Sequence, residues 1–333
     1  MHLMMSDQRE RAQALIRGTI AADLIIPWTN YGDPALRKET LPRYIRSGYS
    51  FVGLTLASDA EGPETLLHIL GRVRREVRAS DSMTLITNVA DVRRAKKERK
   101  LAVSLNLQGS NALAGDLNLV QLYYDLGVRQ ILLVYNHKNM VGDGVHERTD
   151  CGLSRYGVEL IKEMNAVGMM IDCTHTGYRT SMDAIEISAS PVIFSHSNPK
   201  ALWEHDRNIR DDQAKSCAAR GGWIGVNGVG IFMGDDDAST ETYFRNIDYW
   251  VNLVGPDHVG IGTDYVYDPV DMHRYMAMVK SPPGGNYHRM HNFVQPEQLV
   301  ELVERMIAAG YSETHMRGIL GENYLALADR IWR

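Results

Sequence analysis

The chain has 333 residues, of which 44% are hydrophobic and 23% are charged. This composition is typical of a globular protein with a large core, and it excludes a disordered or collagen-like chain. The 36 basic and 41 acidic side chains leave a formal net charge of −5, with no basic patch that would indicate a nucleic-acid partner.

The beginning of the chain and its cysteines predict the cellular setting. The first ten residues, MHLMMSDQRE, reach charged residues too early for a secretory signal, and no later apolar run is long enough to span a membrane. Three cysteines cannot all pair, which favours a reducing compartment over a disulfide framework. We therefore expect a cytoplasmic protein that binds neither membrane nor nucleic acid, and a homo-oligomer is compatible with the sequence.

Short apolar runs alternate with longer segments of helical spacing. Near-continuous apolar runs are typical of strands in a parallel sheet that is covered on both faces. Eight such runs lie at 23–26, 51–56, 101–108, 131–135, 169–175, 191–196, 223–227 and 258–264. Helices are predicted between them, for example at 64–79, at 117–126 before Gly127 and at 156–166 before Gly168.

Eight strand and helix units in a chain of this length predict an α/β fold, a closed (β/α)8 barrel of the TIM type, rather than an open doubly wound sheet. No linker rich in Pro, Gly or Ser divides the sequence, so we expect a single domain. Within it, residues 1–20 are predicted to form an N-terminal helical extension and residues 21–333 the barrel. The alternative is that two of the runs are buried helix segments, and the first two runs are the weakest strand predictions.

Polar residues close most of the predicted strands. In a barrel of this kind the active site lies where the strands end. Each polar residue follows an apolar stretch, where an unpaired polar group would be costly, so we expect these side chains to share a partner. The residues are Gln108, Tyr135 with Asn136, His175, His196, Asn227 and Asp264.

Two of these residues are histidines on neighbouring predicted strands. With Asp264 from the last strand, His175 and His196 can present two imidazole nitrogens and a carboxylate to a divalent cation such as Zn²⁺. A bound metal lowers the pKa of its water towards about 7 and polarises a carbonyl group, which indicates hydrolysis. Either histidine alone is more typical of a hydrogen-bonded core residue, whereas the pair favours a metal site.

A run of charged residues, HDRNIRDD at 205–212, follows the sixth predicted strand. The guanidinium group of Arg207 can pair with a substrate carboxylate from this loop. By residue type alone, however, the better interpretation is a solvated charge run ahead of a helix that begins at Asp211 or Asp212.

Longer motifs surround the candidate ligands: GMMIDCTH at 168–175, PVIFSHS at 191–197 and GIGTD at 260–264, with Arg-Asn at 207–208 and Gly-Glu-Asn at 321–323. Over most of its length the chain resembles the renal or membrane dipeptidase family, zinc metallopeptidases with a (β/α)8 barrel. The resemblance implies that His175 and His196 bind metal and that Arg207 grips the carboxylate of the substrate. It implies that Asp264 is a proton-handling or metal-facing carboxylate.

The resemblance also exposes departures from the family pattern. Asp23 and Ile25 stand where the family has a first-strand His-x-Asp pair that binds one zinc ion. Gln108 occupies the position where the family has a glutamate that bridges two zinc ions. A neutral amide cannot bridge two dications as a carboxylate does. Asn136 occupies the position where the family has a histidine that contacts the substrate. The neighbouring residue, His137, is the alternative candidate for that role. We therefore expect one zinc ion at most, and other divalent metals or a metal-free form are compatible with these substitutions.

The candidate site residues fall into three groups. The predicted metal ligands are His175, His196, Asp23 and Asp264. The predicted catalytic residues are Asp264, His137 and Asn136. The predicted substrate contacts are Arg207, Gln108, Tyr135 and Asn227.

Three functions are compatible with these residues. The leading hypothesis is a metal-dependent hydrolase that cleaves an amide or peptide-like bond in a small carboxylate-bearing substrate. An isomerase or lyase on the same barrel would use Asp264 or Asp23 as the base. Its acid would be His137 or Tyr135. A non-catalytic protein would instead use Arg207 to hold a carboxylate ligand.

Overall fold

The strands of this protein form one parallel sheet that curves into a nearly closed barrel, as seen in a computed structural model that describes residues 2–29, 31–278 and 291–333. The strands follow one another around the sheet in the order β1-β2-β4-β5-β6-β7-β8-β9, and β3 pairs with β4 outside this path. The strands are β1 (Ala22–Pro27), β2 (Phe51–Ser58), β3 (Met83–Leu85), β4 (Leu101–Gln108), β5 (Val128–Leu132), β6 (Met170–Asp172), β7 (Ile193–Phe194), β8 (Trp223–Val226) and β9 (Val259–Ile261).

Helices follow most of the strands and cover the outside of the barrel. They are α1 (His2–Arg17), α2 (Pro34–Ser47), α3 (Pro63–Arg78), α4 (Val89–Lys97), α5 (Asn118–Asp125), α6 (Arg155–Val167), α7 (Tyr178–Ile187), α8 (Asp211–Ala219), α9 (Thr240–Val254), α10 (Pro269–Met278), α11 (Leu299–Ala308), α12 (Glu313–Arg317) and α13 (Asn323–Ile331). None of the helices in the described ranges is both long and apolar enough to cross a membrane.

The predicted (β/α)8 barrel of the TIM type is confirmed, because each of the eight apolar runs overlaps one strand of the barrel wall. Every residue of β2 and β4 is buried, as expected for strands covered on both faces. Gly168 ends α6 in the left-handed conformation predicted for it, with φ of 86°. Helix α1 lies within the predicted N-terminal extension and buries Leu15 and Ile16 in the main core.

The later strands are shorter than the apolar runs that predicted them. The run at 169–175 contributes only β6, the run at 191–196 only β7 and the run at 258–264 only β9. After β6 and β9 the backbone turns into the left-handed conformation, at His175 and at Asp264.

Strand β5 begins three residues before its predicted start, at Val128. The sequence obscures this start because Arg129 and Gln130 are polar and yet buried. The Arg129 side chain donates to the carbonyl oxygens of Thr87 and Tyr124 at 2.7 Å, and its guanidinium group lies over the Tyr124 ring. These contacts satisfy a charged residue that is usually exposed. The short strand β3 was not predicted, because its three residues are only half buried.

A buried carboxylate joins the two end strands of the sheet. Asp23 on β1 accepts hydrogen bonds from the backbone N–H of Thr263 just after β9, at 2.9 Å, and from the Thr263 hydroxyl. Its second oxygen also accepts from the hydroxyl of Tyr44 on α2 at 2.9 Å. Asp23 therefore ties β1 to the end of β9 where the sheet closes on itself.

Candidate active site

Three non-glycine residues in the left-handed backbone conformation mark the ends of barrel strands. They are Asn136 with φ of 63°, His175 with φ of 62° and Asp264 with φ of 56°. Side chains with a Cβ atom rarely adopt this conformation, and it recurs at functional sites because the surrounding structure holds it there. All three are among the predicted site residues.

The two predicted histidine ligands meet at the end of the barrel. Nε2 of His175 lies 2.9 Å from Nε2 of His196, and both side chains are buried. The His175 ring stacks on Tyr135 with ring centroids 4.1 Å apart. The structure therefore brings these two residues together as predicted, with the same ring nitrogen of each facing the other.

Hydrogen bonds to the opposite ring nitrogens set the protonation of the pair. Nδ1–H of His175 donates to Oδ1 of Asn136 at 2.6 Å, since an amide oxygen can only accept. Nδ1 of His196 lies 2.7 Å from Oγ of Ser195, whose hydroxyl donates to Asp172, so this nitrogen also carries the proton. Each Nε2 is therefore left with its lone pair.

Burial keeps both imidazoles neutral, because it lowers the pKa of His175 and of His196 well below the usual value for histidine. The positive charge of Arg207 acts in the same direction on both. Two lone pairs that face each other at 2.9 Å repel unless a cation or a proton lies between them. The pair is thus chemically suited to bind a metal ion.

Asp264 is the acidic residue of the site. Its Oδ2 lies 4.0 Å from Nε2 of His196 and accepts from the Asn227 amide at 3.4 Å. Burial raises the pKa of Asp264 to about 6, although Arg207 and hydrogen bonds from Gln108 and Asn227 oppose the shift. Its proton therefore exchanges in the range where a general acid or base works best near neutral pH.

Gln108 and Asn227, two predicted substrate contacts, lie beside Asp264. The Gln108 amide also donates to the Thr55 hydroxyl at 3.2 Å, and Oδ1 of Asn227 accepts from the Val229 backbone at 2.6 Å. These bonds hold two neutral amides against the carboxylate, so both residues help to set its protonation.

Arg207 is almost completely buried, with 2% of its surface exposed. It lies with its guanidinium carbon 5.2 Å from the centre of the Phe232 ring, and Nη2 donates to the His196 carbonyl at 3.5 Å. The expected solvated charge run is wrong for this residue, although helix α8 does begin at Asp211 as that interpretation required. His137 is half buried and pairs with the His146 ring rather than with the histidine pair, at a centroid distance of 6.1 Å.

Asp23 does not join the other three predicted metal ligands. Its oxygens are held by Thr263 and Tyr44, as described above, and the β1 residue that lines the cavity is Pro27. Proline offers no side-chain donor, so β1 contributes no ligand atom to the cavity at this position.

A cavity of about 110 Å³ opens beside His175 and Asp264. Most of its wall is apolar and comes from the loops after β8 and β9. Gln108 and Tyr135, two of the predicted substrate contacts, also line it. The wall also contains polar residues that the sequence did not single out, among them His273 and His291, neither of which follows an apolar run.

The distance between the two histidine nitrogens can be compared with the spacing of ligands around a zinc ion. Two nitrogen ligands of a tetrahedral zinc ion lie about 3.3 Å apart, since each Zn–N bond is about 2.0–2.1 Å long. The 2.9 Å between His175 and His196 is within a few tenths of an ångström of that spacing. Across the part of the chain that the structure describes, however, no three His, Cys, Asp or Glu side chains lie close enough to hold a metal ion together. Asp264 Oδ2, at 4.0 Å from Nε2 of His196, is the nearest carboxylate oxygen to the pair that the structure describes.

Relatives of this chain are found by sequence and by structure. A dipeptidase of Schizosaccharomyces pombe, itself uncharacterized, is 33% identical over 241 residues, which cover 70% of this chain and 53% of the yeast protein. An uncharacterized Klebsiella pneumoniae protein is 28% identical over 281 residues, covering 81% of this chain and 93% of that protein. The chain therefore spans about half the length of the yeast relative and nearly all of the bacterial one.

A solved amidohydrolase from Pseudomonas aeruginosa has the same fold, with a TM-score of 0.87 and 28% identity over 96% of this chain and 99% of that one. Residues 51–333 match the profile of the family described as membrane dipeptidase, peptidase family M19. That match takes in both histidines, Arg207 and Asp264. Because its residues 51–333 match this profile and its fold is the same barrel, the chain belongs to the membrane dipeptidase family.

Proposed function

We propose that this protein is a metal-dependent hydrolase that cleaves an amide or peptide bond in a small substrate bearing a carboxylate. The observation that carries the proposal is the buried histidine pair, whose Nε2 lone pairs converge at 2.9 Å under fixed tautomers. Family membership supports the reaction class.

One zinc ion suits this site, with His175 and His196 as ligands and Asp264 as the third donor. When bound, such an ion polarises the scissile carbonyl and makes water a stronger acid. Asn136 holds the His175 ring, and Ser195 holds the His196 ring, so both rings are oriented before metal arrives. Gln108 and Asn227 donate hydrogen bonds to the Asp264 carboxylate and so orient it.

The first prediction concerns metal content. We expect about one zinc ion per chain by elemental analysis, and we expect His175→Ala and His196→Ala each to lose it. The same variants should lose hydrolysis by a factor of 100 or more in a screen of dipeptides and N-acyl amino acids, on the scale of about 10²–10³ for removal of one electrostatic group. His68→Ala, which removes an exposed histidine on α3, is the matched control and should change neither quantity.

Product mass separates this proposal from its competitor. Hydrolysis adds one water to the substrate, whereas an isomerase using Asp264 as base leaves the mass unchanged. Absence of bound metal, together with full retention of any detected activity in His175→Ala, would sink the hydrolase proposal.

A further inference from the structure

Six apolar side chains, here called the apolar wall, line the cavity beside the histidine pair. They are Val229, Ile231 and Phe232 after β8, Val266 and Met272 after β9, and Phe293 ahead of α11. All six belong to the main hydrophobic core or pack against it. His175 and Asp264 border the same cavity. The cavity therefore joins the reacting groups of the proposed site to an apolar surface that is continuous with the core.

Backbone hydrogen bonds hold the segments that carry the apolar wall against one another. Gly228 donates to the Thr263 carbonyl at 2.9 Å, and Val294 donates to the Gly228 carbonyl at 2.9 Å. Gly230 donates to the Asn292 carbonyl, also at 2.9 Å. A Cβ atom at position 228 would lie 3.0 Å from the Thr263 carbonyl oxygen, so these segments pack too closely for a larger residue without a shift. The apolar wall is therefore formed before a ligand binds.

Apart from the reacting groups, the cavity offers no ionised partner to a ligand. Asp264 is the only acidic residue among the cavity-lining residues that the structure describes, and none of them is Lys or Arg. Burial lowers the pKa of His291, so this imidazole is neutral at pH 7. The carboxylate that lies 4.0 Å from its Nδ1, that of Asp236, is outside the cavity wall and accepts from the Asn292 backbone N–H at 3.0 Å.

These surroundings discriminate between side chains of a substrate. A charged side chain against the apolar wall would lose its hydration without gaining a partner. An apolar side chain gains instead, because each methylene group that leaves water corresponds to about fourfold in affinity. The apolar wall therefore favours aliphatic and aromatic side chains over charged ones.

Arg207 connects the apolar wall to the predicted position of the substrate carboxylate. Its guanidinium carbon lies 5.2 Å from the centre of the Phe232 ring, and Phe232 belongs to the apolar wall. In an α-amino acid the carboxylate and the side chain are attached to the same carbon atom. One residue of a substrate can therefore place its carboxylate at Arg207 and its side chain on the apolar wall.

We propose that the apolar wall binds an aliphatic or aromatic side chain on the residue of the substrate that carries the carboxylate. This inference rests on the proposed hydrolase function and names its substrate class, which is the amides and peptides of apolar amino acids. Ile231 and Met272 select the side chain, because they are only partly buried in the free protein, whereas the other four members of the apolar wall are buried.

The test is direct binding of three ligands, measured by titration calorimetry. They are the racemic Nα-methanesulfonyl derivatives of norleucine and lysine, and N-methanesulfonylglycine. A sulfonamide replaces the cleavable amide in each, so binding is measured without turnover. Norleucine has the four side-chain carbons of lysine without the ammonium group, and glycine has no side chain. The wild-type protein should bind the norleucine ligand at least tenfold more tightly than either of the others.

Two substitutions make the apolar wall more polar at nearly constant size. Met272→Gln and Ile231→Thr should each weaken binding of the norleucine ligand by about 4- to 20-fold and leave binding of the glycine ligand within about twofold. Val270→Thr, at an exposed position on α10, is the matched control for Met272→Gln and should retain the wild-type affinities. Thermal unfolding curves establish that each variant is folded.

Binding distinguishes this inference from the proposed function. A preference for the norleucine ligand that declines in both variants supports the inference even if no hydrolysis is detected. The inference is wrong if the folded wild-type protein binds the lysine or glycine ligand as tightly as the norleucine ligand, or binds none of the three. Equal weakening of the norleucine and glycine ligands in both variants would overturn it as well, while leaving the hydrolase proposal standing.

Discussion

Side chains behind the histidine pair determine which nitrogen is available for a ligand. Asp172, buried at the end of β6, accepts hydrogen bonds from Gln130, Thr174 and Ser195. Burial raises the pKa of this carboxyl, and these donors oppose the rise. The Ser195 hydroxyl thereby donates to Asp172 and its oxygen accepts a hydrogen bond from Nδ1–H of His196, which leaves the lone pair of Nε2 facing the site.

Asp264 provides a second prediction, on stability against pH in the metal-free protein. Its pKa is about 6 in the folded protein, against 3.8 as its ordinary value, so the folded state holds the proton more tightly than the unfolded chain. The protonated carboxyl contributes its full share of the free energy of unfolding below about pH 4. As the pH rises through 6, the free energy of unfolding falls by about 3 kcal/mol.

Asp264→Asn removes this ionisation and should therefore be more stable than the wild-type protein at pH 7, with the gap closing towards pH 4. Thermal denaturation of chelator-treated protein across this range measures the difference. Asp257→Asn, at an exposed position, serves as the control. Parallel pH profiles for the wild-type protein and Asp264→Asn would contradict the prediction.

At the scale of the elements, the barrel is held together at its seam by side chains as well as by backbone. The contacts of Asp23 with Thr263 and Tyr44 connect β1, the end of β9 and α2. These contacts give Asp23 a structural role at the position where the sequence predicted a metal ligand.

The third prediction separates the two roles of Asp23. Asp23→Asn should lower the free energy of unfolding by about 2 kcal/mol, because an amide cannot accept as many hydrogen bonds as the carboxylate it replaces. The zinc content should stay that of the wild-type protein. Thr263→Val, which removes one donor to Asp23, should be destabilised in the same direction. Loss of zinc from a folded Asp23→Asn protein would instead identify Asp23 as a ligand.

At the scale of the whole molecule, α1 is packed as part of the barrel core. Ala12, Leu15 and Ile16 are buried, and Gln8 donates to the Glu304 carbonyl on α11 at 2.6 Å. None of the cavity-lining residues that the structure describes belongs to α1. Its contribution is therefore to stability rather than to the chemistry of the site.

The fourth prediction is that Leu15→Ala lowers the free energy of unfolding by about 2–4 kcal/mol, through lost burial and the cavity left behind. Removal of residues 1–17 should cost at least as much and yet leave the zinc content unchanged. Urea denaturation measures both changes, and Arg17→Ala at an exposed position is the control. A truncated protein that folds but loses zinc would show that α1 supports the site directly.

The sequence by itself determined the barrel, because eight apolar runs with intervening helices have few other ways to bury both faces of their strands. It also identified His175, His196 and Asp264, since polar residues that end apolar strands meet at one end of such a barrel. Hydrophobic pattern and strand-end position are local properties, and they can be read along the chain.

Only the tertiary structure decided what those side chains face. Asp23 lies at a strand seam rather than at the histidine pair, and Arg207 is buried over Phe232 rather than solvated. His273 and His291 reach the cavity from segments with no strand pattern. The physical reason is that tautomers, hydrogen-bond partners and burial depend on contacts between residues far apart in sequence, and periodicity carries no information about them.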